Sequence, residues 1–172
     1  MEPRTKRPNP VEGKGVLRVL GRYHCHELVG ERPPLLTYRA RTQGLAGFER
    51  AFAVRCFVAD GAGHGTEMEE AFVALGRRLQ SVKDARIGQV VEAGRVDGAA
   101  IVVREFVLGA SLEALIALGR KAGADLPPEW RSLVAHVGAE IADALAVAHA
   151  QGIVHGGLGP SNVFVTNRGA VK

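Results

Sequence analysis

His155-Gly-Gly-Leu-Gly-Pro-Ser-Asn162 is the stretch on which the reading of this chain turns. An apolar pattern runs into it. Trp130, Leu133, Val137, Ile141, Leu145 and Ala148 recur three or four residues apart, the spacing that lines one face of a helix. Pro127 and Pro128 suit the opening of that helix, and Gly152 its end. Val163-Phe-Val165 leaves the stretch as a short apolar strand. Helix, tight loop and strand in that order place the loop's polar side chains at one edge of a packed core.

Upstream, runs rich in β-formers predict five strands: Tyr23 to Val29 after an extended entry from Val16, Leu36 to Arg41, Phe52 to Val58, Ile87 to Glu92, and Ala99 to Phe106. Gly30-Glu-Arg-Pro-Pro-Leu35 predicts a turn between the first two, and Val96-Asp-Gly98 one between the last two. Thr66 and Glu69 form a capping box, so a helix starts at about Glu67, with Phe72, Leu75, Leu79 and Val82 at helical spacing. Ser111 caps a short helix from Leu112 to about Arg120, which Gly123 ends. A turn at Asn167-Arg-Gly169 joins Val163–Thr166 to Ala170–Lys172 in a closing hairpin.

The chain has 172 residues, of which 47% are apolar, enough for a sizeable core. Residues 1–15 carry Arg4, Lys6, Arg7, Lys14 and three prolines, and predict a disordered basic tail. No apolar segment follows them, so they do not form a secretory signal. No window of about 18 uninterrupted apolar residues marks a membrane span. Two cysteines, Cys25 and Cys56, suit free thiols in a reducing cytoplasm. Net charge is +4, but only 5% of residues are aromatic. That disfavours a surface for stacking nucleic-acid bases.

The loop resembles the catalytic loop of serine/threonine protein kinases, whose pattern reads H-R-D-L-x-P-x-N. His155, Leu158, Pro160, Ser161 and Asn162 match. Gly156, Gly157 and Gly159 stand where that family keeps Arg, Asp and Lys. Gln89-Val-Val-Glu-Ala-Gly94, Arg104-Glu-Phe-Val-Leu-Gly109 and His149-Ala-Gln-Gly-Ile-Val-His155 fall in the family's order and spacing. The resemblance covers roughly Gly21 to Lys172. It implies an α+β fold of the bacterial, eukaryotic-like kinase type. A five-stranded antiparallel small lobe with one helix spans 16–107. The first helices and catalytic-loop hairpin of a truncated large lobe span 108–172.

The same resemblance assigns positions to ATP and Mg²⁺. Gly30 takes the first place of the Gly-rich loop, with Arg32 and Leu35 in the second and third. Two prolines between them remove amide donors from a turn meant to hold phosphate. Ala53 and Arg55 take the places of the V-A-x-K alanine and lysine, and an Arg there is not a conservative exchange. Leu75 takes the place of the glutamate that pairs with that lysine. Glu105 and Val107 would offer backbone groups to the adenine, with Arg104 guarding the rear of the pocket. Phe164 would border the nucleotide, Asn162 would ligate Mg²⁺, and His155 would be a packed structural residue. Gly157 has no side chain to accept the substrate hydroxyl proton, and Gly159 none to neutralise the phosphoryl group. The expected role is therefore a pseudokinase-like module that binds a protein partner or regulates the remainder of a longer chain. Such a chain end would expose part of the long helix's apolar face or bury it in a partner.

Three other readings compete. A residual ATP-dependent kinase would need an acid from elsewhere in place of the missing Asp. Gly61-x-Gly63-x-Gly65, with Asp84 as a ribose-binding acid, suggests a dinucleotide-dependent oxidoreductase, which requires a parallel sheet. His24 and His26, alternating on a strand, would share a face and suggest metal, although two ligands are too few for a structural zinc site.

Overall fold

The computed structural model describes residues 15–43, 49–58, 65–121 and 129–172. They fall into two compact units. One comprises the chain to Arg77 with Val90–Phe106, the other Arg78–Gln89 with Val107–Lys172. Gly61, Gly63, Gly123, Pro127 and Pro128 lie outside the described residues, as do residues 1–14 of the proposed tail.

The first unit is a sheet of six strands, not five: β1 Arg18–Leu20, β2 Tyr23–Arg32, β3 Leu35–Gln43, β4 Glu49–Phe57, β5 Val90–Val96 and β6 Ala99–Glu105. Their spatial order is β1-β2-β3-β4-β6-β5, and every pairing is antiparallel. The additional strand, β1, is three residues long, too short for alternation to show in sequence. It folds back on β2 through Gly21, whose φ of +54° is left-handed and suits glycine. The antiparallel sheet removes the dinucleotide reading, which needs parallel neighbours.

Two boundaries differ from the sequence expectation. Gly30, Glu31 and Arg32 are not part of a loose turn. They continue β2 and pair with Thr37, Leu36 and Leu35, so the connection is Pro33-Pro34 alone, joined by a cis peptide bond. β5 starts at Val90 because residues before it are held in a turn by Asp84. That residue's carboxylate accepts from the Arg86 amide at 2.8 Å, and its carbonyl from the Ile87 amide at 3.2 Å.

The two faces of the sheet differ in character. One carries the main core, with Tyr23, Cys25, Ala40, Phe52, Val54, Cys56, Ile101 and Val103 buried together. Tyr23 and Phe52 meet edge to face at 5.5 Å. Burial pushes the Cys25 thiol up to about 11 and raises that of Cys56, so neither is an activated nucleophile.

Helix α1, Gly65–Leu79, packs on one end of the other face. Phe57, Val73 and Ala100 are buried there, with Leu35 and Phe72 against them. The approach is close: a Cβ added at Gly76 would lie 2.6 Å from a Val102 methyl and 2.8 Å from Ala93 Cβ. Val73 and Gly76, rather than Leu75, therefore face the sheet; Leu75 is exposed. Val82 is buried beyond the helix end.

The second unit holds α2 Leu112–Lys121, α3 Glu129–Ala150, and a two-stranded ribbon of β7 Gly109–Ser111 with β8 Phe164–Thr166. Ser111 Oγ caps α2 by accepting from the Ala114 amide at 3.2 Å. Gly152, at φ +67°, ends α3. The Gly152 amide donates to the His149 carbonyl and that of Ile153 to Ala148, the paired bonds of a Schellman stop. Val137 and Ile141 pack with Val163, Val171 and Leu112, so the middle of the expected apolar face is in the core. Leu133 and Val134, nearer the start, are exposed. By length and composition α3 is apolar enough to cross a membrane, although uninterrupted apolar residues were not to be found in the sequence. Here Val163, just before β8, and Val171, near the chain end, pack on it.

Candidate functional site

The loop from His155 to Asn162 lies between the Schellman stop and β8. Gly156 has φ +69°, so the chain reverses there. The Gly157 amide donates to His155 Nδ1 at 3.3 Å, and the His155 ring is exposed. His155 thus braces the loop locally and is not the packed residue expected. Pro160–Asn162 forms a single 3-10 turn, in which the Asn162 amide donates to the Gly159 carbonyl at 2.9 Å. Asn162 Nδ2 donates to the Gly157 carbonyl at 2.9 Å, which turns the amide so that Oδ1 remains an acceptor. Among the described residues, and apart from each glycine and its two chain neighbours, no atom lies within 4 Å of where a Cβ would stand at Gly157 or Gly159. Among the described residues, no side chain beyond each glycine's chain neighbours occupies the position where a side chain would begin at either glycine.

Phe164, half-buried, exchanges two backbone bonds with Lys172 at 2.7 and 2.8 Å. Thus β8 is held on both sides, by β7 and by the chain end. The β7 pairing was not legible in sequence. It needs Gly109, where any Cβ would collide with the Val165 carbonyl oxygen and with Thr166 Cα.

In the first unit, the register places Gly30, Thr37, Arg55 and Val102 in one row across the sheet, and Glu27, Arg39, Ala53 and Arg104 in the next. Both rows are on the face that α1 partly covers. Arg55 is half-buried, and its Nε donates to Thr37 Oγ1 at 3.4 Å. Burial, and then the charge of Arg32, lower its affinity for its proton. Arg104 is lowered by burial and then by Arg55, with a smaller opposing pull from Glu105. Neither guanidinium forms an ion pair among the described residues. Arg39 reaches Glu27 at 3.6 Å and lies over the Phe106 ring at 4.9 Å, with Nε buried and without a hydrogen-bond partner. Sequence reasoning did not single out Arg39; the alternation of Leu35–Gln43 was the available signal.

Leu75 offers Arg55 no charge, and Glu69 is taken by Arg95. Glu105 points to the core face opposite Phe52. It closes the first unit's last strand, whereas half-buried Val107 belongs to the second. Asp84, the candidate ribose acid, is bound by the Arg86 guanidinium at 2.9 Å and sits well below the usual carboxylate range. A bulge between Cys25 and Glu27 breaks the alternation of β2. His24 and Glu27 then share a face, while His26 Nδ1 meets the Gly15 carbonyl at 2.9 Å. Among the described residues, no group of three or more His, Cys, Asp or Glu side chains is placed to hold a metal ion.

The residues present do not fit Mg-ATP as the family holds it. The Pro33-Pro34 connection has no amide to give. Arg55 lacks its glutamate, and Ala53, at the adenine position, is flanked across the sheet by Arg39 and Arg104. In the loop, Asn162 Oδ1 remains an acceptor after Nδ2 has donated to the Gly157 carbonyl.

An antiparallel small lobe with one helix, followed by the helices and loop hairpin that open a large lobe, defines a protein-kinase-like domain. No protein-family model matches the chain. It is 30% identical over 156 residues to the probable serine/threonine-protein kinase CPE1738 of Clostridium perfringens, across 90% of this chain and 21% of that protein. It is 32% identical over 159 residues to the probable serine/threonine-protein kinase SCO3848 of Streptomyces coelicolor, across 90% of this chain and 22% of that one. Its structure is similar to the PknI kinase domain of Mycobacterium tuberculosis, with a TM-score of 0.67 and 22% identity, over 92% of this chain and 60% of that domain. The chain belongs to the bacterial, eukaryotic-like serine/threonine protein kinase family. It spans about a fifth of the length of these curated relatives. The family uses ATP and Mg²⁺.

Proposed function

We propose that this chain is a degenerate, pseudokinase-like domain that acts in the cytoplasm by binding a protein partner or regulating the longer protein to which such a domain belongs, without transferring phosphate. The observation that carries this reading is the open space at Gly157 and Gly159. A general base contributes about 10²–10⁴-fold to a rate, and no carboxylate among the described residues lies within 4 Å of the Cβ position at Gly157 or Gly159. Three further features support the reading: the Pro33-Pro34 connection, the uncharged Leu75, and the engagement of Glu69 by Arg95. The exposed apolar residues at the start of α3, Leu133 and Val134, supply surface for a partner.

The test is incubation of the purified protein with γ-labelled ATP, Mg²⁺ and a general protein substrate. Incorporation is expected to equal that of a heat-inactivated control. ATP-dependent labelling above that control would overturn the reading and favour a residual kinase.

A further inference from the structure

We propose that Arg55 and Arg104 form a binding site for a small polyoxyanion of the diphosphate class, held without a nucleoside. The two residues are diagonal neighbours on adjacent strands: Arg55 is opposite Val102, and Ala53 is opposite Arg104. Diagonal positions on one face are roughly 7–8 Å apart, close enough for two long side chains to converge. Both are half-buried. Among the described residues Arg55 has a single bond, to the neutral Thr37 hydroxyl, and neither guanidinium has a carboxylate at salt-bridge distance, although the charge of Glu105 attracts Arg104 more weakly than Arg55 repels it. Partly desolvated like charges at this spacing repel unless an anion lies between them.

The chemistry of the two ends narrows the class. Each guanidinium is a planar fork that takes two oxygens at once. A lone carboxylate has two oxygens and satisfies one fork. A diphosphate has enough for both, with the Thr37 hydroxyl beside Arg55. Arg39 and Arg104 on either side of Ala53 extend the positive potential over the position that the family gives to the nucleotide base. Phosphate groups, not a neutral ring, suit that ground. This inference concerns what the face binds and holds whether or not the loop transfers phosphate.

Calorimetric titration with sodium pyrophosphate, in EDTA and at constant ionic strength, tests the site directly. Adenosine and ADP serve as the comparison arms. Pyrophosphate is expected to bind, adenosine not to bind, and ADP to bind no more tightly than pyrophosphate. Arg104→Gln should weaken pyrophosphate by about tenfold or more, the scale of one charge-assisted contact. The same variant should leave the melting temperature of the ligand-free protein unchanged or higher, because burial and repulsion from Arg55 outweigh the attraction of Glu105 for this cation. Absence of pyrophosphate binding, binding of adenosine, or tighter binding of ADP would each overturn the proposal. So would a lower ligand-free melting temperature in Arg104→Gln, which would reveal a partner for the guanidinium within the protein.

Discussion

Asn162 donates from its side-chain amide to the backbone carbonyl of Gly157 at 2.9 Å, closing the loop across five residues. The bond is exposed and neutral, the kind that stabilises by about 0.5–1.5 kcal/mol. Asn162→Ala is therefore expected to lower stability by about 1 kcal/mol. Asn162→Asp, which keeps the shape but loses the donor, should do the same at neutral pH. Urea unfolding of the three proteins measures this. An Asp variant as stable as the parent would show that the donated hydrogen bond does not hold the loop.

Restoring the missing side chains separates a vacant loop from a collapsed one. Gly157 and Gly159 have open space at the Cβ position and no left-handed φ. The double substitution Gly157→Asp with Gly159→Lys should fold with a melting temperature close to that of the parent. Phosphate transfer should still be absent, because Arg55, Leu75 and the Pro33-Pro34 connection remain. Labelling of a protein substrate by this variant would show that the loop alone had been limiting.

Close backbone and helix approaches give a sharper structural test. At Gly109 a methyl group would strike the backbone of β8, and at Gly76 it would strike Val102 and Ala93. Overpacking of this kind costs about 1–3 kcal/mol. Gly109→Ala meets rigid backbone and should stand at the upper end of that range. Gly76→Ala meets side chains on the sheet and should be milder. Gly138→Ala, with nothing within 4 Å on an exposed helix position, should stabilise by about 1 kcal/mol through helix propensity. Denaturation midpoints in that order support the packing described; equal midpoints for Gly109→Ala and Gly138→Ala contradict it.

Much of this architecture was legible in sequence where local chemistry acts alone. Ser111 caps α2, Gly152 stops α3, and the apolar spacing through Val137 and Ile141 marks the face that packs on Val163 and Val171. Misreadings arose where tertiary pairing overrides local signals. Gly30, Glu31 and Arg32 have turn-like composition, but the facing residues Leu35–Thr37 draw them into the ladder. Leu75 is apolar at helical spacing yet exposed, because Val73 and Gly76 let the helix approach the sheet more closely. Within the candidate site, the three glycines were visible at once. The pairing of Arg39 and Arg104 around Ala53 was not, because it depends on register between strands about 15 and 50 residues apart in the chain.

The last prediction concerns acid stability in the second unit. Asp84 accepts three bonds from Arg86: one from its backbone amide at 2.8 Å and two from its guanidinium at 2.9 Å each. These hold the Asp84 carboxyl at about 2, against about 3.9 for an unstructured Asp. The native state therefore releases this proton more readily than the unfolded one. The stabilisation is complete above about pH 4 and is lost as pH falls toward 2. Asp84→Asn cannot ionise and gains nothing over that interval. Of its ion pairs, Arg86 keeps in that variant the 2.8 Å one with exposed Asp143. The stability gap between parent and Asp84→Asn should be widest near neutral pH and should narrow steadily from pH 4 to pH 2. Urea midpoints for both proteins across that interval decide it, and a gap that stays constant with pH would place the acid-sensitive group elsewhere.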